Sequence, residues 1–310
     1  MVPDNRGRST WSWLPDDEAG ESSQVADHQS AFEFVQSLAA ELSRGRVDLP
    51  TSPEVAQRLH QALDEDDLSN TFVTRVIGAD PGLAARVLAL ANGKASTRGT
   101  RPFTDLKLAV TRVGSDNVRS AALPYVLEKL RSAQAHAHLR EDLAHLWDRS
   151  TLVAAIARVL ADRTNAAPPD VALLAGLLHN VGAVYLISRA ERHLTLFRNP
   201  VTRDVLMHDW QASIGKAIAH NWGLPDDIAD AIGDQDQLDR HDARGRDLTD
   251  VLCVAVRSAA FFDHPDELEI ALGSLPLFQR LGLDRAALRD VMREAAKHTT
   301  ALRSALALDS

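Results

Sequence analysis

From residue 28 onward the apolar side chains of this chain recur at intervals of three and four, and no stretch alternates long enough to build a sheet. Phe32, Val35, Leu38 and Leu42 set that pattern, and Gly45 stops it. Ser52 and Pro53 then begin a helix striped by Val55, Leu59 and Leu63, because Ser accepts from free first-turn amides and Pro suits the first helical position. A short helix is expected from Ser69 to Ile77. Asp80-Pro81 begins another, with Leu83, Val87 and Leu90 on one face as far as Gly93. Thr104 is expected to cap a helix ending at Gly114, and Ser115 to cap the next toward Leu130. A long pattern follows from Leu139 to Ala161. After the break "RTNAAPPD", Asp170 starts a strongly apolar helix that ends at His179-Asn180, where Gly182 is expected to turn the chain. Helices over about 202–221, from "GLPDD" to Ile232, 249–262 and 284–307 complete the reading. The polar segment 233–247, "GDQDQLDRHDARGRD", is expected to be a flexible loop.

These elements predict an all-α protein, a multi-helix bundle in two lobes. The aromatic content of 5% is low for a sandwich or barrel, and abundant Ala and Leu favour helix packing. At 310 residues, 45% of them hydrophobic, the chain is long enough for a substantial core. Its net charge of -9 gives no general attraction to nucleic acid or to an anionic membrane, so neither is an expected partner. The strongest apolar run, Val171 to Leu178, falls short of the roughly 18 to 20 residues of a membrane span. The single cysteine, Cys253, sits in an apolar helical run, which fits a buried thiol and a reducing cytoplasm. Residues 1–27 are expected to be a disordered leader, with Trp11 and Trp13 either tail hydrophobes or a short docking peptide.

The segments "LPTSPEV" (49–55), "DPGLAARVLALAN" (80–92), "TDLKLAVTRVG" (104–114), "LWDRS" (146–150), "LLAGLLHNVG" (173–182) and "WGLPDDIADAI" (222–232) together resemble the HDOD family, the HD-related output domain of bacterial signalling proteins. That resemblance implies an all-helical lobe, about 28–135, followed by a lobe similar to the HD-domain phosphohydrolase core, about 136–265. A C-terminal helical extension, 266–310, lies beyond it. The resemblance also implies a regulatory role, because HDOD domains generally lack a complete metal set.

HD phosphohydrolases hold divalent metals with several His and at least two Asp, so that a bound water becomes the nucleophile. Alignment by the matched motifs puts Arg149 where the first His is expected, and a guanidinium cannot ligate a metal. His179 is retained. Asn180 offers a neutral amide oxygen where Asp would bring charge. Gln211 occupies another His position, and Gly233, Asp234 and Gln235 stand where a late His pair would fall. Arg149, His179, Asn180, Gln211 and Asp234 are therefore the candidates for a degenerate pocket. His136, His138, His145, His208 and His220 show no helical His-Glu metal pattern, and no phosphate-binding loop or nucleophile elbow is present.

The expected function is that of a non-enzymatic signalling module with no catalytic residues, metal or cofactor, acting through binding to signalling proteins. Two alternatives stay open: a divergent metal phosphohydrolase using His179, and a nucleotide sensor using Arg149 for phosphate. Lys94, Arg98 and Arg101, on a basic loop, are candidates for an anion or partner surface. The apolar face of 284–308 either packs on the bundle or makes a homodimer contact.

Overall fold

The computed structural model describes residues 33–34, 36–38, 40–43, 81–93, 103–114, 117–118, 139–190, 193, 197, 200–240, 245–262, 264, 267–268 and 276–306. Among these there are helices and turns and no strand. The helices are α1 (Pro81–Gly93), α2 (Leu106–Val113), α3 (Arg140–Thr164), α4 (Pro169–Leu178), α5 (Val181–Ala190), α6 (Pro200–Asn221), α7 (Asp226–Gly233), α8 (Leu248–Ala260), α9 (Pro276–Arg280) and α10 (Arg285–Leu306). The leader, the helices expected over 52–63 and 69–77, and Lys94, Arg98, Arg101, His136 and His138 all lie outside the described residues.

Two lobes form the bundle. In the first, α1 packs on α2, with Leu83, Val87, Leu88, Ala109 and Val110 buried. The cap of α2 is Asp105 and not Thr104: its carboxylate accepts from Leu108 N at 2.9 Å. Asn92 ties the ends of α1 and α2 together, donating to and accepting from the Phe103 backbone.

In the second lobe α3 is the central post, packed against α4, α8 and α10. The 25-residue α3 buries a continuous set from Val153 to Ala157 and ends at Asn165, whose φ of 51° closes the helix. Gly176 lets α4 lie directly on α3, since a Cβ there would sit 2.6 Å from Ala154 Cα. The apolar stretch Pro169–Arg189 is long and apolar enough to cross a membrane by composition, a longer stretch than the eight-residue run suggests. It is two helices, α4 and α5, folded at His179-Asn180 and 89% buried in the core.

Gly182 does not turn the chain. It lies inside α5, a helix the sequence pattern does not reveal, and its function is close approach: a Cβ would fall 1.9 Å from the Gln211 carbonyl oxygen on α6. The segment after α7 is likewise no free loop over its described part. Arg240 and Arg280 both bond the carboxylate of Asp250, which is fully buried, and Arg240 also pairs with Asp247 at 2.9 and 3.0 Å. Asp247 and Asp250 cap α8 reciprocally. The C-terminal helix α10 packs on α3, burying Leu288, Val291 and Ala295.

Candidate functional site

The turn between α4 and α5 presents His179 and Asn180 to the surrounding helices, and both are buried. A carbonyl only accepts, so the 2.7 Å contact between His179 Nδ1 and the Gly176 carbonyl places the proton of the neutral ring on Nδ1. Burial, reinforced by the positive charge of Arg149 and opposed by the Gly176 bond, pulls the imidazole down to about 3. His179 is therefore neutral at ordinary pH.

Both ends of the Asn180 amide are used. Its Oδ1 accepts from Ser150 Oγ at 2.7 Å, and its Nδ2 donates to the Leu146 carbonyl at 2.9 Å. An amide suits this place because one end must donate and the other accept, whereas a carboxylate would set an oxygen against the Leu146 carbonyl. Arg149 lies between those two contacts on α3, solvent-exposed and within electrostatic range of His179 and Asp236.

Gln211 meets the turn through its backbone, against Gly182, and its side chain is half-buried. Asp234 does not join the group. It caps α7, its carboxylate accepts from Gln237 at 2.9 Å, and its carbonyl receives Cys253 Sγ at 3.3 Å. The residue of that turn that reaches the site is Gln235, buried, whose Nε2 donates to the His179 carbonyl at 2.8 Å and to the Ile232 carbonyl at 2.9 Å. Ser150 lies in the matched segment 146–150 and Gln235 at the position of the late His pair, but nothing in the sequence marks either as a partner of the turn. Cys253 is buried, as expected, and burial pushes its thiol up to about 12, far from a reactive thiolate.

An HD-like fold implies divalent metals at this position, and the donor set does not fit them. His179 Nε2 is one neutral donor, the Asn180 oxygen already accepts a hydroxyl, Gln235 can offer only a neutral amide oxygen, and Arg149 brings a positive charge. Among the described residues no group of three or more His, Cys, Asp or Glu is placed to hold a metal. His145, His208 and His220 are exposed.

The chain is 25% identical over 262 residues to an uncharacterized protein of Treponema pallidum (strain Nichols), covering 79% of this chain and 48% of that protein. It thus spans about half the length of that curated relative. Its fold is similar to the MmoQ response regulator of Methylococcus capsulatus str. Bath, with a TM-score of 0.64 and 22% identity over 80% of this chain and 99% of that one. A Shewanella amazonensis SB2B protein whose name proposes a metal-dependent phosphohydrolase is 26% identical, with a TM-score of 0.48, over 87% of this chain and 99% of its own. The family model of the HDOD domain matches residues 49–238, which include the buried turn and every residue bonded to it; this chain belongs to the HDOD family.

Proposed function

We propose that this chain is a non-enzymatic regulatory module that acts in the cytoplasm by binding a signalling protein. The observation that carries the reading is the use of Asn180: both amide atoms are spent on Ser150 and Leu146, so the position of the HD aspartate has become part of the scaffold. Gln235 bonded to the His179 carbonyl and Arg149 beside it support the same conclusion. A catalytic metal there would need charged ligands where this chain has amides and a cation. The family's regulatory role adds support, and the faces of the two lobes are the surface such a partner would use.

The test is hydrolysis of a generic phosphodiester by the purified chain with added Mn²⁺ or Mg²⁺. No turnover above the metal-only rate is expected. Metal-dependent turnover abolished by His179→Ala would overturn the reading and restore a divergent phosphohydrolase.

A second reading, a ligand-sensing pocket at the same turn, is favoured by one observation. Arg149 is exposed, and among the described residues its guanidinium has no hydrogen-bonded or ion-paired partner. An exposed arginine with free donors is suited to a phosphate group.

A further inference from the structure

A groove of about 390 Å³ lies between the end of α3 and α10. Six side chains line it, and all six are charged or titratable: Arg163 from α3, and Asp290, Arg293, Glu294, Lys297 and His298 from α10. Their contacts fix the arrangement. Arg163 reaches across to Glu294 at 2.8 Å, His298 Nε2 lies 3.9 Å from the other oxygen of Glu294, and Arg293 bonds Asp290 at 2.9 Å. The apolar side of α10 is already covered, since Leu288, Val291 and Ala295 are buried where it packs on α3. What α10 leaves open is its charged side.

The cations of the groove outnumber its carboxylates and are not used up by them. Arg163 and Arg293 each place one guanidinium nitrogen on a carboxylate and keep further N–H donors. Among the described residues Lys297 makes no ion pair or side-chain hydrogen bond. Arg293 and Lys297 also continue a row that begins with Arg285 and Arg289. These cations recur at every fourth residue, all of them are exposed, and the row is about 18 Å long. Steps of four set neighbouring side chains about 6 Å apart along a helix. The row is thus a basic strip on a chain of net charge -9.

We infer that this groove and the basic row of α10 form the docking surface for an acidic helix of a partner protein. Carboxylates one turn apart on such a helix have the spacing of the cations on α10, and complementary rows of this kind set register and orientation. Small-molecule pockets are lined mainly by apolar and aromatic side chains, and none lines this groove. Asp290 and Glu294, set among the cations, oppose the uniform charge of a nucleic-acid backbone, whereas a protein can leave neutral or basic residues opposite them. The assignment rests on the protein-binding reading above and adds to it the surface and the charge of the partner. Its α10 side lies beyond residues 49–238, which the family model matches.

The experiment is fluorescence anisotropy of a labelled peptide of Glu-Ala-Ala-Ala repeats, titrated with the full chain at low salt, beside the same peptide with Gln for Glu and a short labelled DNA duplex. Saturable binding of the Glu peptide is expected, with the Gln peptide and the duplex weaker by about tenfold or more. Arg293→Glu and Lys297→Glu should each weaken the Glu peptide by about fivefold or more. Arg246→Glu, the same change at an exposed residue outside the groove, should weaken it by less than about twofold. Glu294→Gln removes a negative charge and releases Arg163, so it should tighten binding by about twofold or more, a gain that loss of structure would not give. Absence of saturable binding, a duplex that binds as tightly as the Glu peptide, or equal weakening by Arg246→Glu and Lys297→Glu overturns the surface. Those results would leave the non-enzymatic reading standing, and metal-dependent hydrolysis would overturn that reading without moving the peptide titration.

Discussion

At the scale of single residues, His179 makes the fold sensitive to acid. Its folded value, near 3, lies below that of an exposed imidazole, so the unfolded chain takes up the proton first. The stability this neutral ring contributes is complete above about pH 6.5 and is lost as the pH falls toward 3. Between pH 7 and pH 5 the wild type should lose about 2 kcal/mol more than His179→Gln, measured by urea unfolding at each pH. Equal losses would mean that the imidazole is not held neutral. Arg149, His179 and Asn180 were legible in the sequence because they fall within segments that resemble known motifs. Gln235 was legible only as the occupant of a late His position; its bond to the His179 carbonyl is made from the turn after α7, and no local pattern marks that proximity.

At the scale of elements, Gly182 decides how closely α5 approaches α6, and Gly223 shows what a glycine with open space around it costs to replace. Gly182→Ala would drive a methyl into the Gln211 carbonyl and should destabilise the protein by about 3 kcal/mol or more, since backbone cannot yield as a side chain can. Gly223→Ala meets nothing within 4 Å and strains only its φ of 69°, so about 1 kcal/mol is expected in the same denaturation series. Comparable losses would refute the close packing of α5 on α6. In the sequence Gly182 looks like a turn because glycine marks chain reversal and close approach alike. Only the helix opposite distinguishes the two. Helix α5 was missed for a related reason: its residues continue the apolarity of α4, and no Pro separates them. The segment after α7 read as a loop because its bonds, from Arg240 to Asp247 and Asp250 and from Arg280 to the Arg240 carbonyl, follow no helical or strand period. Asp250→Asn removes the buried charge that Arg240 and Arg280 share, and a loss of about 3 kcal/mol in thermal or urea unfolding is expected. A change under about 0.5 kcal/mol would mean that those arginines are satisfied elsewhere.

At the scale of the molecule, the all-helical class and the two-lobed plan were readable because apolar spacing at three and four is set by helix geometry, whichever partners cover the faces. The place of α10 was not, since an amphipathic face is the same whether it meets α3 or a second copy. Its buried Leu288, Val291 and Ala295 settle that face on the bundle. At the heart of the second lobe the turn is held by Asn180 and Gln235 with Arg149 beside it, and the reading proposed above is that this turn holds no divalent metal. Calorimetric titration of metal-free protein with Mn²⁺ tests it most directly. The account predicts no saturable site tighter than about 1 mM, as expected where charged ligands are missing. Stoichiometric binding at about 10 μM or tighter, lost in His179→Ala, would contradict it.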